Sequence, residues 1–158
     1  MDTKINTAFL YPAALFTDNK PFIVNTLLGS CISVCLWDTV LKIGGINHFM
    51  LPLWNGVGLA SPRYGNIAIE KLLEEMIRRK CRKSNLIAKI FGGAAIIQTS
   101  PNFINIGSRN IDIAIKILEE KKIPIVAQSV GGNLGRKIQF NTHTGEVRMR
   151  YIKKTLTK

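Results

Sequence analysis

Cys31 and His48 are the two residues of this sequence whose side chains could together carry out nucleophilic chemistry. If the extended segments 32–37 and 43–50 form a hairpin that turns at 38–41, the numbers of paired residues sum to 79. This register places Cys31 directly opposite His48, on one face of the hairpin, with Cβ atoms about 5 Å apart. A thiol that shares a proton with an imidazole is the arrangement of a cysteine nucleophile and its base, so the spacing predicts catalysis by Cys31.

The two residues before the thiol, Gly29 and Ser30, suit the same chemistry. A glycine lets the backbone turn tightly, and such a turn can direct amide N–H groups at the oxyanion that forms when a thiolate attacks a carbonyl. We therefore expect an oxyanion-binding turn at residues 29–30.

Other uses of these residues fit the spacing less well. A zinc site built from Cys31, Cys35, His48 and Cys81 has usable ligand types, but the first two cysteines lie about 13 Å apart if they share one strand. The phosphate-binding cysteine loop of tyrosine phosphatases needs an arginine where Trp37 stands. A structural role, as a core cysteine and a core histidine, stays open.

The pattern of apolar residues predicts the strands that position the site. Strands are expected at 21–28, 32–37, 43–50, 86–91 and 123–127, and a C-terminal hairpin at 136–140 and 147–152 that turns near Thr144 and Gly145.

Two helices with apolar stripes are predicted between these strands. Ser61 is a suitable N-cap for the first, with Pro62 at the first helical position, and Ser108 or Asn110 caps the second. We therefore expect the α/β class, α+β-like, with a single domain over residues 1–158 in which a mixed β-sheet packs against two main helices.

The composition is that of a globular protein, with 158 residues, 46% hydrophobic and 20% charged. Three cysteines, an odd number, and the lack of an export signal predict reduced thiols in the cytoplasm. No run of about 18 apolar residues occurs, so we expect no membrane insertion.

The formal net charge is +12, from 22 basic and 10 acidic residues, which suits nucleic acid, a membrane surface or an acidic protein. Much of the positive charge falls at predicted helix ends, around residues 78–83 and 121–122, where it complements the helix dipole. No aromatic residues alternate with these clusters as stacking platforms would require, so we expect no nucleic-acid partner.

Several motifs lie in order along the chain: TLLGSC at 26–31, GGINHFMLP at 44–52, RYG at 63–65, IFGGA at 90–94, NIGSRN at 105–110 and GGNLGR at 131–136. Together they closely resemble the CheD family of chemoreceptor glutamine deamidases. The resemblance covers nearly the whole chain, and it implies a fold similar to that of cytotoxic necrotizing factor-type toxin deamidases.

The resemblance implies an enzyme that converts glutamines of methyl-accepting chemotaxis receptors to glutamates, with Cys31 as nucleophile and His48 as base. Some members of the family also hydrolyse receptor methyl esters. The chemistry needs no metal and no organic cofactor. A CheC-type phosphatase is a partner of some relatives, so the alternative is a regulatory binding protein that adjusts such a phosphatase.

The remaining site residues are less firmly predicted. The family orients its histidine with a threonine six residues before the cysteine, where this sequence has Asn25, and Thr26 follows one place later. Either residue could orient His48. Asn133 and Arg136, in the last glycine-rich motif, are candidate contacts to a substrate helix or a regulator.

Overall fold

The computed structural model describes residues 4–95 and 105–153. Within them the chain forms nine strands, two α-helices and a short 3-10 helix (Lys83–Asn85). The strands are β1 (Asn6–Phe9), β2 (Leu15–Thr17), β3 (Phe22–Leu28), β4 (Ile32–Asp38), β5 (Ile43–Asn47), β6 (Leu86–Gly92), β7 (Ile125–Val130), β8 (Gly135–Asn141) and β9 (Val147–Ile152). The helices are α1 (Gly65–Arg78) and α2 (Ile106–Glu120).

The strands form two mixed sheets, one with the order β1-β3-β8-β9 and one with the order β2-β5-β4-β6-β7. Each sheet combines one parallel pair, β1 with β3 or β6 with β7, with antiparallel pairs. The predicted α/β class with two main helices is confirmed. The expectation of a single sheet is wrong, because β3 and β4 are consecutive in the chain but belong to different sheets.

Two apolar clusters hold these layers together. One lies between the helices and the five-stranded sheet and includes Ile32, Leu36, Leu72 and Leu118. The other includes Val24, Leu28, Cys35 and Ile46, which come from strands of both sheets, so it joins the two sheets face to face. The order of layers is therefore helices, five-stranded sheet, four-stranded sheet, and the five-stranded sheet is covered on both faces.

Both helices begin at residues other than the predicted ones. The N-cap of α1 is Tyr64, whose side chain makes no cap hydrogen bond, and Ser61 instead accepts a hydrogen bond from Arg63 in the preceding turn. The first N–H groups of α1 are satisfied by another segment, since Gly65 N donates to Leu51 O. The side chain of Asn105, rather than that of Ser108 or Asn110, caps α2 by accepting from the amide of Ser108.

The β4–β5 hairpin has a register two residues away from the predicted one, with Asp38 opposite Ile43 and paired numbers that sum to 81. The carboxylate of Asp38 accepts the amides of Val40 and Leu41, which holds a turn that starts after Asp38. Lys42 closes this turn with a φ of 57°.

Within the described ranges, no helix is both long and apolar enough to cross a membrane.

Candidate active site

The imidazole of His48 is held by the hydroxyl of Thr26 inside the sandwich. Thr26 Oγ1 lies 2.8 Å from His48 Nδ1, and the same hydroxyl donates to the backbone carbonyl of Leu10 at 2.7 Å. Thr26 comes from β3 in the four-stranded sheet, whereas His48 directly follows β5 in the five-stranded sheet. Both side chains are buried, so the contact joins the inner faces of the two sheets.

These two hydrogen bonds fix the tautomer of His48. A hydroxyl has a single proton, and Thr26 gives that proton to the carbonyl of Leu10. The oxygen can then only accept from the ring, so Nδ1 of His48 carries the N–H. The other ring nitrogen, Nε2, is left with a lone pair, which is the form that a general base needs.

Asn25, the alternative orienting residue, points the other way. Its side-chain Oδ1 accepts from Gln139 Nε2 at 2.9 Å on the exposed side of the four-stranded sheet. The structure therefore brings Thr26, and not Asn25, to His48. Strand alternation does not continue from β3 into β4, because the chain crosses between sheets at residues 29–31, so a residue's distance in sequence from Cys31 does not tell which face it occupies.

The backbone of His48 is also anchored, since its carbonyl accepts from the amide of Ala13 at 2.8 Å. The side-chain oxygen of the neighbouring Asn47 accepts from the amide of Val34, in the place that a backbone carbonyl would take in a regular strand pair. Burial lowers the pKa of His48 from 6.5 to about 4. The ring is therefore neutral near pH 7.

Cys31 directly precedes β4 and is half-buried. Its carbonyl accepts from the amide of Gly93 at 2.9 Å, and the next residue, Ile32, exchanges two backbone hydrogen bonds with Phe49. In the observed register Cys31 is opposite Met50, so Cys31 and His48 are diagonal neighbours on one face rather than a directly opposed pair.

The resting pair is uncharged. Burial raises the pKa of the Cys31 thiol and lowers that of the His48 imidazole, so both groups are neutral near pH 7. Among the described residues no hydrogen bond joins the two side chains. Their placement on one face of the hairpin is compatible with proton transfer from sulfur to Nε2.

The two carbonyls of the turn before Cys31 accept hydrogen bonds from other segments of the chain. Gly29 O accepts from the amide of Ala94 at 3.0 Å, and Ser30 O accepts from Asn110 Nδ2 at 2.9 Å. In a trans peptide the N–H points opposite to the C=O, so the amides of Ser30 and Cys31 point away from these two partners. Neither amide donates a hydrogen bond within the described part of the chain, so both can bind an oxyanion.

Asn110 is a residue of the site that the sequence analysis assigned only to a helix cap. It is fully buried in the first turns of α2, and its Nδ2 donates both to Ser30 O and, at 3.1 Å, to Met50 O. A signal was available in the sequence. Asn110, Ala114 and Leu118 share the buried face of the helix, where an amide interrupts small and apolar residues.

The two candidate contact residues of the last glycine-rich motif have different surroundings. Asn133 is exposed in the turn between β7 and β8. Arg136 is only 2% exposed; its Nε donates to Ser129 Oγ at 3.1 Å, and its guanidinium donates to Gly92 O at 3.3 Å. Arg136 thus supports the loop beside Cys31, and its contact to a substrate helix or a regulator stays a prediction.

The alternative zinc site is not assembled. In residues 4–95 and 105–153 no three His, Cys, Asp or Glu side chains are grouped so that they could hold a metal ion. Cys35 is fully buried in the cluster between the sheets, and Cys81 lies at the end of α1 near Asp38.

Comparison with known proteins shows which family the chain resembles. The family model described as CheD chemotactic sensory transduction matches residues 50–151, a region that begins just after His48. A crystal structure of a Neisseria meningitidis protein aligns with a TM-score of only 0.42 at 11% identity, over 82% of this chain and 63% of that one.

Three curated relatives are similar over most of their length. A Trichlorobacter lovleyi protein is 52% identical over 90% of this chain and 89% of its own, and a Sulfurimonas denitrificans protein is 46% identical over 93% and 95%. An Anaeromyxobacter dehalogenans protein is 37% identical over 91% and 84%. The first two are named probable chemoreceptor glutamine deamidase CheD, and the third probable chemoreceptor glutamine deamidase CheD 1. With this identity over nearly the full chain and the matching family model, the protein belongs to the CheD family.

Proposed function

We propose that this protein is a chemoreceptor glutamine deamidase that converts glutamine side chains of methyl-accepting chemotaxis receptors to glutamate, with Cys31 as nucleophile and His48 as base. The hydrogen bond from His48 Nδ1 to Thr26 supports this proposal most, because it leaves Nε2 as the proton acceptor of the ring. The names of the relatives support the substrate class. The expected location is the cytoplasm, where receptor signalling segments and reduced thiols are both found.

The first half of the proposed reaction forms a thioester. The Cys31 sulfur attacks the side-chain carbonyl carbon of glutamine as its proton passes to His48 Nε2. The negative charge that develops on the carbonyl oxygen is stabilised by the amides of Ser30 and Cys31. The carbon–nitrogen bond then breaks, and the departing nitrogen takes the proton from His48 and leaves as ammonia.

The second half is hydrolysis of the thioester. Water gives a proton to His48 Nε2 while its oxygen attacks the acyl carbon, and the carbon–sulfur bond of the second tetrahedral intermediate breaks. The thiolate recovers its proton from His48, and the product is a glutamate side chain. A receptor methyl ester would follow the same route, with methanol as the leaving group.

A receptor surface rich in acidic residues would be attracted to the exposed face of the four-stranded sheet. On this face Lys137 and Arg150 lie directly opposite each other on β8 and β9, and Leu27 lies opposite Lys137 on β3. Like charges in this position repel, so an anionic partner would relieve the repulsion. The exposed apolar side chain of Leu27 adds contact area beside them.

The experiment is to incubate the protein with receptor cytoplasmic fragments and to map glutamine-to-glutamate conversion by peptide mass spectrometry. We expect conversion by the wild type and a loss of at least about a thousandfold for Cys31→Ala. Cys81→Ala is the matched control, because Cys81 is a buried thiol at the end of α1. Equal conversion by the wild type and Cys31→Ala, or none by either, would exclude this assignment on that substrate. Methanol release from methylated receptor tests the ester reaction.

A second candidate function, regulation of a CheC-type phosphatase, has a separate observation in its favour. A groove of about 620 Å³ beside the site is lined by residues such as Leu51, Tyr64 and Arg109. The segment at its edge exposes Val57 and Leu59, which suits a protein partner. Binding of a purified CheC-type phosphatase by the inactive Cys31→Ala variant, with a change in phosphatase rate, would support this role independently of deamidation.

A further inference from the structure

Asn110 links the segments that carry the two proposed catalytic residues. Its single side-chain nitrogen donates to Ser30 O at 2.9 Å and to Met50 O at 3.1 Å. Ser30 directly precedes Cys31, and Met50 lies two residues after His48. One fully buried amide group of α2 thus holds both segments by their carbonyl oxygens.

The orientation of this amide follows from its partners. Both partners are carbonyl oxygens, which only accept, so the nitrogen and not Oδ1 must face them. Oδ1 is buried and has no hydrogen-bond partner within residues 4–95 and 105–153. Such a group is costly, by about 1–3 kcal/mol, so the side chain is better matched to its donor role than to general packing.

The helix that carries Asn110 is itself pressed against the site. At Gly107, three residues earlier, an added β-carbon would overlap the carbonyl oxygens of Gly93 and Ala94. The amides of Gly93 and Ala94 in turn donate to the carbonyls of Cys31 and Gly29. Movement of Asn110 relative to the cysteine turn is therefore restricted on two sides.

We propose that Asn110 is a positioning residue that orients the peptide between Ser30 and Cys31, so that the Cys31 amide faces the developing oxyanion. The inference rests on the proposed function, because it assigns a role to that same site. The carbonyl of Ser30 and the amide of Cys31 belong to one planar peptide, so a donor that fixes the first fixes the direction of the second. The bond to Met50 keeps the strand with His48 in place relative to this peptide.

The test compares two reactions of the same thiol. Acylation of Cys31 by p-nitrophenyl acetate passes through an oxyanion, whereas alkylation by iodoacetamide does not. For Asn110→Ala and for the isosteric Asn110→Asp, which lacks the amide donors, we expect acylation to fall by about tenfold to a hundredfold. Alkylation should change by less than about threefold, and receptor deamidation should lose kcat with little change in KM.

Thr142→Val is the matched control. Thr142 is also buried, and its hydroxyl accepts from the amide of Phe22 at the far end of β3. This variant should lose stability, measured by thermal unfolding, and keep the wild-type ratio of acylation to alkylation. A parallel fall of both rates in the two Asn110 variants, or no fall in either, would overturn the inference.

The same design separates this inference from the proposed function. If the wild type fails to deamidate receptor fragments, the proposed substrate is wrong, yet the acylation-to-alkylation ratio still reports on Asn110. If the wild type deamidates receptors and the Asn110 variants keep its kcat, the inference alone is wrong.

Discussion

Gly92 and Cys31 are in such close contact that a β-carbon on Gly92 would overlap the carbonyl oxygen of Cys31. Gly92 ends β6 with a φ of 111°, a backbone conformation that residues other than glycine rarely adopt. The next amide, that of Gly93, donates to this same carbonyl. The backbone of Cys31, the proposed nucleophile, is therefore packed against a position that only glycine can occupy.

Substitution of this glycine should disrupt the site. We expect Gly92→Ala to lower the free energy of unfolding by several kcal/mol, from the strained φ together with the overlap, and to abolish acylation of Cys31. The measurements are urea unfolding and labelling with p-nitrophenyl acetate. Gly132→Ala is the control, since Gly132 has a φ of 72° but no atom near its added β-carbon. It should cost only about 1–2 kcal/mol. Equal stability of the two variants would contradict the close contact.

Thr26 should matter for rate more than its neighbour Asn25. Thr26→Val keeps the shape of the side chain but removes the acceptor for His48 Nδ1–H, so we expect deamidation to fall by about tenfold to a hundredfold. Thr26→Ser should recover most of the rate, because it restores the hydroxyl. Asn25→Ala is the control and should stay within about twofold of the wild type. A larger loss at Asn25 than at Thr26 would assign the orienting role to the exposed side of the sheet.

The burial of His48 should make stability depend on pH. The pKa of His48 is about 4 in the folded protein and 6.5 in its unperturbed form, so the unfolded chain binds a proton more readily between these values. Stability should therefore be highest above about pH 6.5 and fall by up to about 3 kcal/mol as the pH decreases towards 4.

Urea unfolding at pH 7 and pH 5 measures this dependence, and His48→Gln provides the reference without the imidazole. The wild type should lose more stability than His48→Gln over this interval. An identical loss in both proteins would mean that the ring can be protonated in the folded state.

Arg136 should behave as a structural residue. Arg136→Met removes the hydrogen bonds to Ser129 and to the carbonyl of Gly92, so we expect a loss of about 2–4 kcal/mol in thermal or chemical unfolding. Asn133→Ala, in an exposed turn, should change stability by less than about 0.5 kcal/mol. A higher KM for receptor fragments with unchanged stability in Arg136→Met would instead favour the substrate contact that the sequence suggested.

The sequence contains enough local information to predict most of the strands and helices. The strands around residues 22–28, 32–38 and 86–92 and the C-terminal hairpin are recognisable from their apolar patterns, and the glycine pair Gly131-Gly132 adopts the positive φ angles expected of a turn. Local patterns do not say which strands share a sheet. The crossing from one sheet to the other at residues 29–31 depends on packing between layers, and this crossing determines that Thr26 faces His48.

The predicted register of the β4–β5 hairpin and the predicted start of α1 are also wrong. The β4–β5 register depends on the carboxylate of Asp38, which holds the turn, and on the positive φ of Lys42, which a symmetric hairpin does not predict. The start of α1 depends on the carbonyl of Leu51, which accepts from the amide of Gly65, rather than on the nearby Ser61. At the start of α1 a contact from another segment replaced the local signal, whereas at the β4–β5 turn the deciding signal, the aspartate, is itself local.

The uncharged resting state of Cys31 has a consequence for survival of the enzyme in the cell. Peroxides oxidise the thiolate far faster than the thiol, and burial raises the pKa of Cys31, so little thiolate is present near pH 7. The same burial should therefore make hydrogen peroxide oxidise Cys31 more slowly than a fully exposed cysteine.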